Sequence, residues 1–477
     1  MIKLNKLVKI AKKMPLTIVT ITCSLMMLGL IVNLVYYVYF KSDVVINNNY
    51  NQRQELLAQN NIRGKILASD GSVLAQTGTD ETGREKRFYP YRNLFAHVVG
   101  YSAKGKMGIE SSSNIQLLTS STFVGEKIQN ELAAQKNMGN TIVTTLDVSL
   151  QQAAYDALGI YKGTIIVTEP STGKILAMVS KPDFDPNEID KIWDAIKDDN
   201  QNAYLLNRST QGLYPPGSTF KIITALEYFR ENRETYGEYS FKCNGVFNFE
   251  DGKIQCYHKK SHGQVNLQES FEHSCNSSFA NIGTQLDKKK LQNTCENLLF
   301  NRNHPVQMAY NKSKFDLPED SKSYIVMQTS IGQGNTQITP MHLNMITSSI
   351  ANNGQLMTPY LVDRIETYKG EIVKQYSQKQ YKKMMSTQEA DFLETLMEGV
   401  VENGTATKLK NQPYSAAGKT GSAEFGSIKG ESHAWFTGYA PVENPRICVT
   451  IIVEGAGSGG DYAVPIAKRI FDTYFLK

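Results

Sequence analysis

From Pro15 to Phe40 the chain reads "PLTIVTITCSLMMLGLIVNLVYYVYF", without one charged side chain. A helix of that span reaches ~39 Å, more than the ~30 Å hydrocarbon core of a bilayer. So long an apolar run does not suit the buried core of a water-soluble domain. Tyr36, Tyr37 and Tyr39 fit the interfacial belt at its outer end. Lys3, Lys6, Lys9, Lys12 and Lys13 precede the run and favour a cytoplasmic N-terminus. A cleaved signal peptide would have a shorter apolar region and a small-x-small cleavage site. The following "YVYFKSDVV" offers none. The run is therefore expected to be an uncleaved signal-anchor, with the rest of the chain exported.

The 477 residues allow two or three domains, and a hydrophobic fraction of 41% is that of a folded protein. The formal net charge of +5 is carried by those leading lysines, which leaves the rest neutral. A nucleic-acid binder concentrates positive charge in its folded part, so that class is set aside. Among 6 cysteines, Cys243 and Cys256 are nearest neighbours. A disulfide between them is compatible with an exported domain, and spacing alone does not decide it.

Two groups of strands frame the second part of the chain. "GTIIVTEPSTGKILAMVS" reads as two strands around a Pro170–Gly173 turn, preceded by a helix at Leu150–Leu158 capped by Asp147 or Ser149 and ended by Gly159. "AAGKTGSAEF", "HAWFTGYAP" and "ICVTIIVEG" read as three more strands, and a helix over Val464–Phe475 follows. The residues between read largely as helices and loops. The expected fold class is α+β, with an antiparallel five-stranded sheet flanked by helices and a helical insertion. Nearer the anchor, "GKILASDGSVLAQT" reads as a hairpin turning at Asp70-Gly71, and "NTIVTTLD" as a strand.

The chemistry centres on "LYPPGSTFKIITALEYF". Pro215 and Pro216 stop any preceding helix, Gly217 permits a tight entry, and the apolar pattern from Phe220 is helical. Ser218 then falls in a first turn, where free N–H groups and the dipole favour negative charge. Lys221, three residues on, shares its face. A serine needs a base to attack a carbonyl, and a lysine of depressed pKa can serve. Alone, the pair is equally a helix cap and a surface lysine. Downstream, however, stand Ser274-Cys275-Asn276 and Lys419-Thr420-Gly421. S-x-x-K, S-x-N and K-T-G in this order are the motif set of serine penicillin-interactive enzymes.

With these motifs the chain resembles a class B penicillin-binding protein, a membrane-anchored D,D-transpeptidase of peptidoglycan synthesis. The resemblance runs along nearly the whole chain. "NIRGKILASDGSVLA" is similar to the membrane-proximal R-G-x-I-x-D-x-x-G motif (Arg63, Gly64, Asp70, Gly71). "RFYPYRNLFAHVVGY" and "GIE" at Gly108–Glu110 resemble the pedestal. "KILAMVSKPDFDPN" and "IGQGNTQITPMHLNMITSSIANNG" resemble catalytic-domain stretches. The short pedestal resembles the compact members often called penicillin-binding protein A.

The resemblance implies the β-lactamase-like transpeptidase fold with its all-helical subdomain. It implies a cytoplasmic tail at 1–14, an anchor at 15–40, a pedestal at 41–148 and a transpeptidase domain at 149–477. It also implies roles for the motif residues. Ser218 attacks the penultimate D-Ala carbonyl of a stem peptide, Lys221 takes its proton, and Ser274 relays a proton to the leaving amine. Asn276 holds Lys221 and the substrate amide. Lys419 and Thr420 bind the terminal carboxylate. Gly421 lets substrate lie along the strand as an added β-strand. The N–H groups of Ser218 and Ser422 form the oxyanion hole.

The implied partners are nascent peptidoglycan stem peptides, β-lactams as covalent inhibitors, and a polytopic lipid II glycosyltransferase of the shape, elongation, division and sporulation family. No cofactor is implied. Cys256, His258 and His262, with Cys243 upstream, superficially suggest zinc. The family commonly has a "C…C…HG" loop here, the two lysines between the histidines disfavour a cation, and no metal is expected. Cys275 reads as packing or rim, His433 as structural or at the cleft rim, and Glu424 as close to the cleft without being a base. A β-lactamase or sensor shares the serine–lysine chemistry, but the deacylating glutamate of class A enzymes has no clear counterpart. A silent scaffold would show degraded motifs, and all three are intact.

Overall fold

The computed structural model describes residues 2–40, 53–425 and 431–476, in two compact units, 1–60 and 61–477. Residues 41–52, the expected start of the pedestal, lie outside the described residues. In the first unit a single helix covers Ile2–Phe40 and carries Pro15 within it. Its Pro15–Val38 portion is apolar and long enough to cross a membrane, with a mean hydropathy of 2.3.

In the second unit, the expected five-stranded antiparallel sheet is present. Its spatial order is Ala417–Glu424, Ser432–Ala440, Ile447–Val453, Gly163–Thr168, Ile175–Lys181. The three inner strands are buried along their whole length, which explains near-continuous apolar runs such as "ICVTIIV". The strand bearing K-T-G lies at the sheet edge. One face packs on the helix Pro340–Ala351, all of whose residues are buried. That contact is polar as well as apolar. Thr437 Oγ1 lies 2.7 Å from Thr347 Oγ1, and Thr168 Oγ1 donates to Asn344 Oδ1 at 2.8 Å. Helices Val148–Leu158 and Gly459–Phe475 pack together on the other face. Asp147 caps the first of these, accepting from Leu150 N, and Gly159 ends it. The last helix starts at Gly459 rather than at Val464. Ser458 is its N-cap residue, and Pro465 is interior to it.

The pedestal sheet is not built from the pedestal sequence alone. Its six strands run Ile372–Gln375, Val362–Glu366, Thr141–Thr144, Ile66–Leu67, Val73–Thr79, Glu85–Phe88. The expected hairpin of Ile66–Leu67 and Val73–Thr79 is there. The first two strands come from far along the chain, so the expected boundary after residue 148 does not coincide with a break in packing.

Beside this sheet lies a buried ion cluster. Arg63 Nε donates to Glu110 Oε2 at 2.6 Å, and Arg87 Nε donates to Glu110 Oε1 at 2.7 Å. Arg63 also reaches Asn114 Oδ1 and the Glu110 carbonyl, while Arg87 reaches Gly64 O. The R-G motif and "GIE" thus meet in one cluster. Glu110 is fully buried. Burial alone would raise its pKa, but Arg63 and Arg87 outweigh that and hold it below its ordinary value. Removing one partner of such a set leaves uncompensated charge, which costs about 3–5 kcal/mol. Glu110→Ala is therefore expected to lower the thermal midpoint of the full chain by several degrees. Because the native Glu110 pKa is depressed, its contribution is present above the ordinary carboxylate pKa of about 4.3 and lost as pH falls through the native value. The gap between wild type and variant should therefore narrow in acid. Superimposable melting curves at neutral pH would refute the role assigned to this cluster.

Candidate active site

Ser218 lies in a 3-10 turn, Gly217–Phe220, that runs into the helix Lys221–Glu231. Nine of the eleven residues of that helix, Lys221 through Phe229, are buried, so the turn rests on a rigid core element. The lead-in is fixed on three sides. Tyr214 pairs with Ile338 through two backbone hydrogen bonds, Trp435 Nε1 donates to Pro215 O at 3.1 Å, and Gly217 N donates to Gly332 O at 2.9 Å. Gly217 has φ +52°, in the left-handed region that glycine enters without strain. A Cβ there would stand 2.9 Å from Ser422 O, so the serine turn lies directly against the K-T-G strand.

Lys221 is fully buried. Its Nζ donates to Ser274 O at 2.6 Å, Asn276 Oδ1 at 2.8 Å and Ser274 Oγ at 3.2 Å. The expected placement beside the Ser218 hydroxyl is realised only in part. The two residues share a turn, but among the described residues Lys221 makes no hydrogen bond to Ser218. The three acceptors of S-x-N use the three protons of an ammonium group, which is the resting geometry of a charged lysine. Burial lowers the Lys221 pKa to about 8, with the Cys275 and Cys256 side chains opposing the shift.

Lys419 is also fully buried. Its Nζ donates to Ser274 Oγ at 3.0 Å and to Thr420 O at 2.9 Å. Burial first, and then the charge of Lys221, lower its pKa well below the ordinary lysine value. The Ser274 oxygen thus accepts from two amines, and its own proton is left to donate. Ser274 has φ +53°, unusual for a residue with a side chain and a sign of local constraint. Among the described residues no carboxylate forms an ion pair with either lysine. The cleft is therefore an electropositive, desolvated pocket suited to an anion and to charge developing on oxygen.

On the edge strand, Lys419 and Gly421 lie opposite Thr437 and Trp435 and face the serine turn. A Cβ at Gly421 would come within 3.1 Å of Thr219 Cγ2 and 3.2 Å of Pro216 O. Glycine at this position therefore lets the strand approach the serine turn, whereas the sequence analysis assigned its role only to substrate. Thr420 Oγ1 is 2.5 Å from Thr405 Oγ1, a partner that no motif signals. Ser422 is part-buried on the same strand, and Glu424 is exposed at its end. His433 stacks on Phe425 with ring centroids 4.0 Å apart, and its Nδ1 accepts from Gly455 N. Burial lowers its pKa to about 4, so it is a neutral packing residue. Glu454, also missed by sequence reasoning, accepts from Tyr214 Oη at 2.7 Å and Arg208 Nε at 2.8 Å and braces the lead-in.

Behind S-x-N the disulfide left open by the spacing of Cys243 and Cys256 is not formed. Cys243, Cys256 and Cys275 are free and buried, and their sulfurs gather with His262 Nδ1 so that all four atoms lie within 4.8 Å of one another. His258, one of the two histidines considered from sequence, is exposed and outside the group.

Comparison with known proteins agrees with this geometry. Residues 163–472 match the penicillin binding protein transpeptidase domain, and residues 63–142 match the penicillin binding protein A dimerisation domain. The peptidoglycan D,D-transpeptidase PbpA of Mycolicibacterium smegmatis is 29% identical, over 90% of this chain and 92% of that protein. The D,D-transpeptidase domain of a peptidoglycan glycosyltransferase from Eggerthella lenta superposes with a TM-score of 0.79 at 29% identity, covering 87% of this chain and 99% of that one. A ceftriaxone acyl-enzyme complex of penicillin-binding protein A from M. tuberculosis superposes equally well, TM-score 0.79 at 28% identity, covering 88% and 100%. The chain belongs to the penicillin-binding protein transpeptidase family.

Proposed function

We propose that the chain cross-links peptidoglycan stem peptides as a serine D,D-transpeptidase, with Ser218 as its nucleophile. The observation that carries this reading is Lys221, a buried amine without a counter-ion on the turn of Ser218, held by Ser274 and Asn276. With a pKa near 8 it releases its proton close to neutral pH, as a general base must.

In the forward half-reaction, Ser218 Oγ bonds to the penultimate D-Ala carbonyl carbon and its proton passes to Lys221. The carbonyl oxygen gains negative charge, which the N–H groups of Ser218 and Ser422 receive. The C–N bond to terminal D-Ala breaks, and the leaving nitrogen takes a proton through Ser274. Lys419 and Thr420 hold the terminal carboxylate, whose negative charge favours the protonated form of Lys419. The substrate backbone adds to the free edge of the K-T-G strand. An amine of a second stem peptide then attacks the acyl-enzyme, gives up its proton along the same path and releases Ser218. β-Lactams enter as mimics of D-Ala-D-Ala and acylate Ser218, as ceftriaxone acylates the M. tuberculosis relative.

The leading lysines support a cytoplasmic N-terminus with the catalytic unit on the outer side of the membrane. The resemblance to class B penicillin-binding proteins supports a polytopic lipid II polymerase of the shape, elongation, division and sporulation family as the working partner. Co-purification of the full chain with such a polymerase, or stimulation of its activity, is the expected result, and neither occurring would count against this partner.

Intact mass after incubation with labelled penicillin should show a long-lived adduct whose peptide maps to Ser218, and Ser218→Ala should show none. Rapid turnover of the adduct would instead identify a β-lactamase. The acylation rate of the free enzyme should rise with pH and level off above about 8, as Lys221 loses its proton. Asn276→Asp places a carboxylate against Lys221 and favours its charged form. The rise is then expected at least about one pH unit higher, and an unmoved profile would exclude Lys221 as the base. Gly421→Ala pushes the edge strand from the serine turn. It should slow acylation about tenfold to a hundredfold with little change in thermal midpoint, since small misplacements of reacting groups have effects of that size. Unimpaired acylation would show that the close approach is not needed.

A further inference from the structure

Four chemically soft or borderline side chains converge immediately behind the S-x-N turn. Cys243 ends the strand Ser240–Cys243, and Cys256 directly follows the strand Gly252–Gln255. His262 precedes the strand Gly263–Asn266, which pairs with Ser240–Cys243 so that Gly263 lies opposite Cys243. Cys275 is the central residue of S-x-N and caps the helix Asn276–Gln285. The sulfurs of Cys243 and Cys256 are 3.7 Å apart, as are those of Cys256 and Cys275, and Cys243 Sγ is 3.4 Å from His262 Nδ1. Ligands at ~2.3 Å for sulfur and ~2.0–2.1 Å for nitrogen around a tetrahedral ion stand ~3.5–3.8 Å from one another. The three shortest separations in the group match those spacings, and all four donor atoms lie within 4.8 Å of one another.

The surroundings suit thiolates. Each sulfur accepts a backbone N–H at 3.4 Å, from Gly245 to Cys243, from Ser277 to Cys256 and from Ser278 to Cys275. Phe241 and Val265 pack against the group. A disulfide between Cys243 and Cys256 would leave Cys275 and His262 without a bonding partner, although Cys256 is equally near both cysteines. The two lysines that argued against a cation, Lys259 and Lys260, are exposed and direct their charge to water.

We propose that Cys243, Cys256, His262 and Cys275 bind a structural Zn²⁺ ion. On binding, the three thiols release their protons to solvent and neutral His262 donates through Nδ1. The complex carries a net charge of about −1, with no change of oxidation state. Three thiolates and an imidazole select zinc over magnesium or calcium, and four protein ligands close the site to catalysis.

The ion also acts on the catalytic cleft through Cys275. Its chain neighbours Ser274 and Asn276 supply every acceptor of the Lys221 amine. Ligation of Cys275 pins the backbone between them, where Ser274 holds its positive φ. Cys275 is thus a positioning residue, and this second role rests on the function proposed above, whereas metal content does not.

The test uses the full chain in detergent, purified under reducing conditions without chelator. Metal analysis should give a zinc-to-chain ratio near one. Exchange with cobalt(II) should give the thiolate-to-metal charge-transfer and intense ligand-field bands of tetrahedral coordination. Cys243→Ser and His262→Ala should weaken zinc binding more than about tenfold, with His262→Cys retaining it and Cys295→Ser unaffected. A wild-type chain that reacts with penicillin yet holds neither zinc nor cobalt would overturn the proposal, as would a Cys243–Cys256 disulfide found by mass after non-reducing alkylation. Removing zinc with a chelator should slow penicillin acylation about tenfold, and added zinc should restore it. An unchanged rate in the stripped chain would refute the positioning role. A chain that binds zinc but forms no penicillin adduct would refute the transpeptidase reading and leave the metal site standing.

Discussion

Lys221 is an amine fully removed from water with no carboxylate paired to it among the described residues, and much of the catalytic unit follows from that placement. Desolvation works against its charge, so its pKa falls toward neutrality without any special base nearby. The protons it still carries must find acceptors, and Ser274 and Asn276 supply them. Ser274 must then present both its carbonyl and its hydroxyl to one amine, which fits its left-handed backbone. A second buried amine, Lys419, shares the same hydroxyl. Two buried amines around one oxygen disfavour each other's charge, and a ligand that brings negative charge favours the protonated form of both.

The sequence made the polar skeleton of this site readable because its chemistry is confined to three short motifs. Ser218 and Lys221 are local neighbours, and helical spacing placed them on one turn. The strands were readable from apolar runs, and Asp147 and Gly159 from capping rules. What escaped was whatever depends on distant segments meeting. Thr405 beneath Thr420, Glu454 bracing Tyr214 and Arg208, and Trp435 holding Pro215 have no local signature. The cysteines show the same limit more sharply. Cys243, Cys256 and His262 lie close in sequence and were weighed together, but Cys275, at the middle of S-x-N, was read as packing or rim. Only the fold places its sulfur in the group, and the same fold turns His258 out to solvent.

Charge in the pedestal follows a different logic from charge in the cleft. Glu110 is as buried as the two lysines, but it is paired to Arg63 and Arg87 and stays ionised. The two amines of the cleft, Lys221 and Lys419, form no ion pair among the described residues, and burial lowers the pKa of each. One arrangement favours a fixed geometry and the other a reactive one.

The pedestal sheet takes two of its strands from Val362–Glu366 and Ile372–Gln375, well inside the catalytic part of the chain. A truncated chain that begins at residue 149 would strip Thr141–Thr144 from the side of Val362–Glu366 and leave a row of unpaired backbone groups facing water. The pedestal is accordingly no detachable stalk. Backbone hydrogen bonds weld it to a segment that leads directly into the helix Thr387–Glu402, whose Glu394 carries the Tyr439 hydroxyl of the strand beside K-T-G. A load applied to the pedestal by a neighbour in the membrane would be borne by the catalytic sheet itself, as by a lever cut from the same piece.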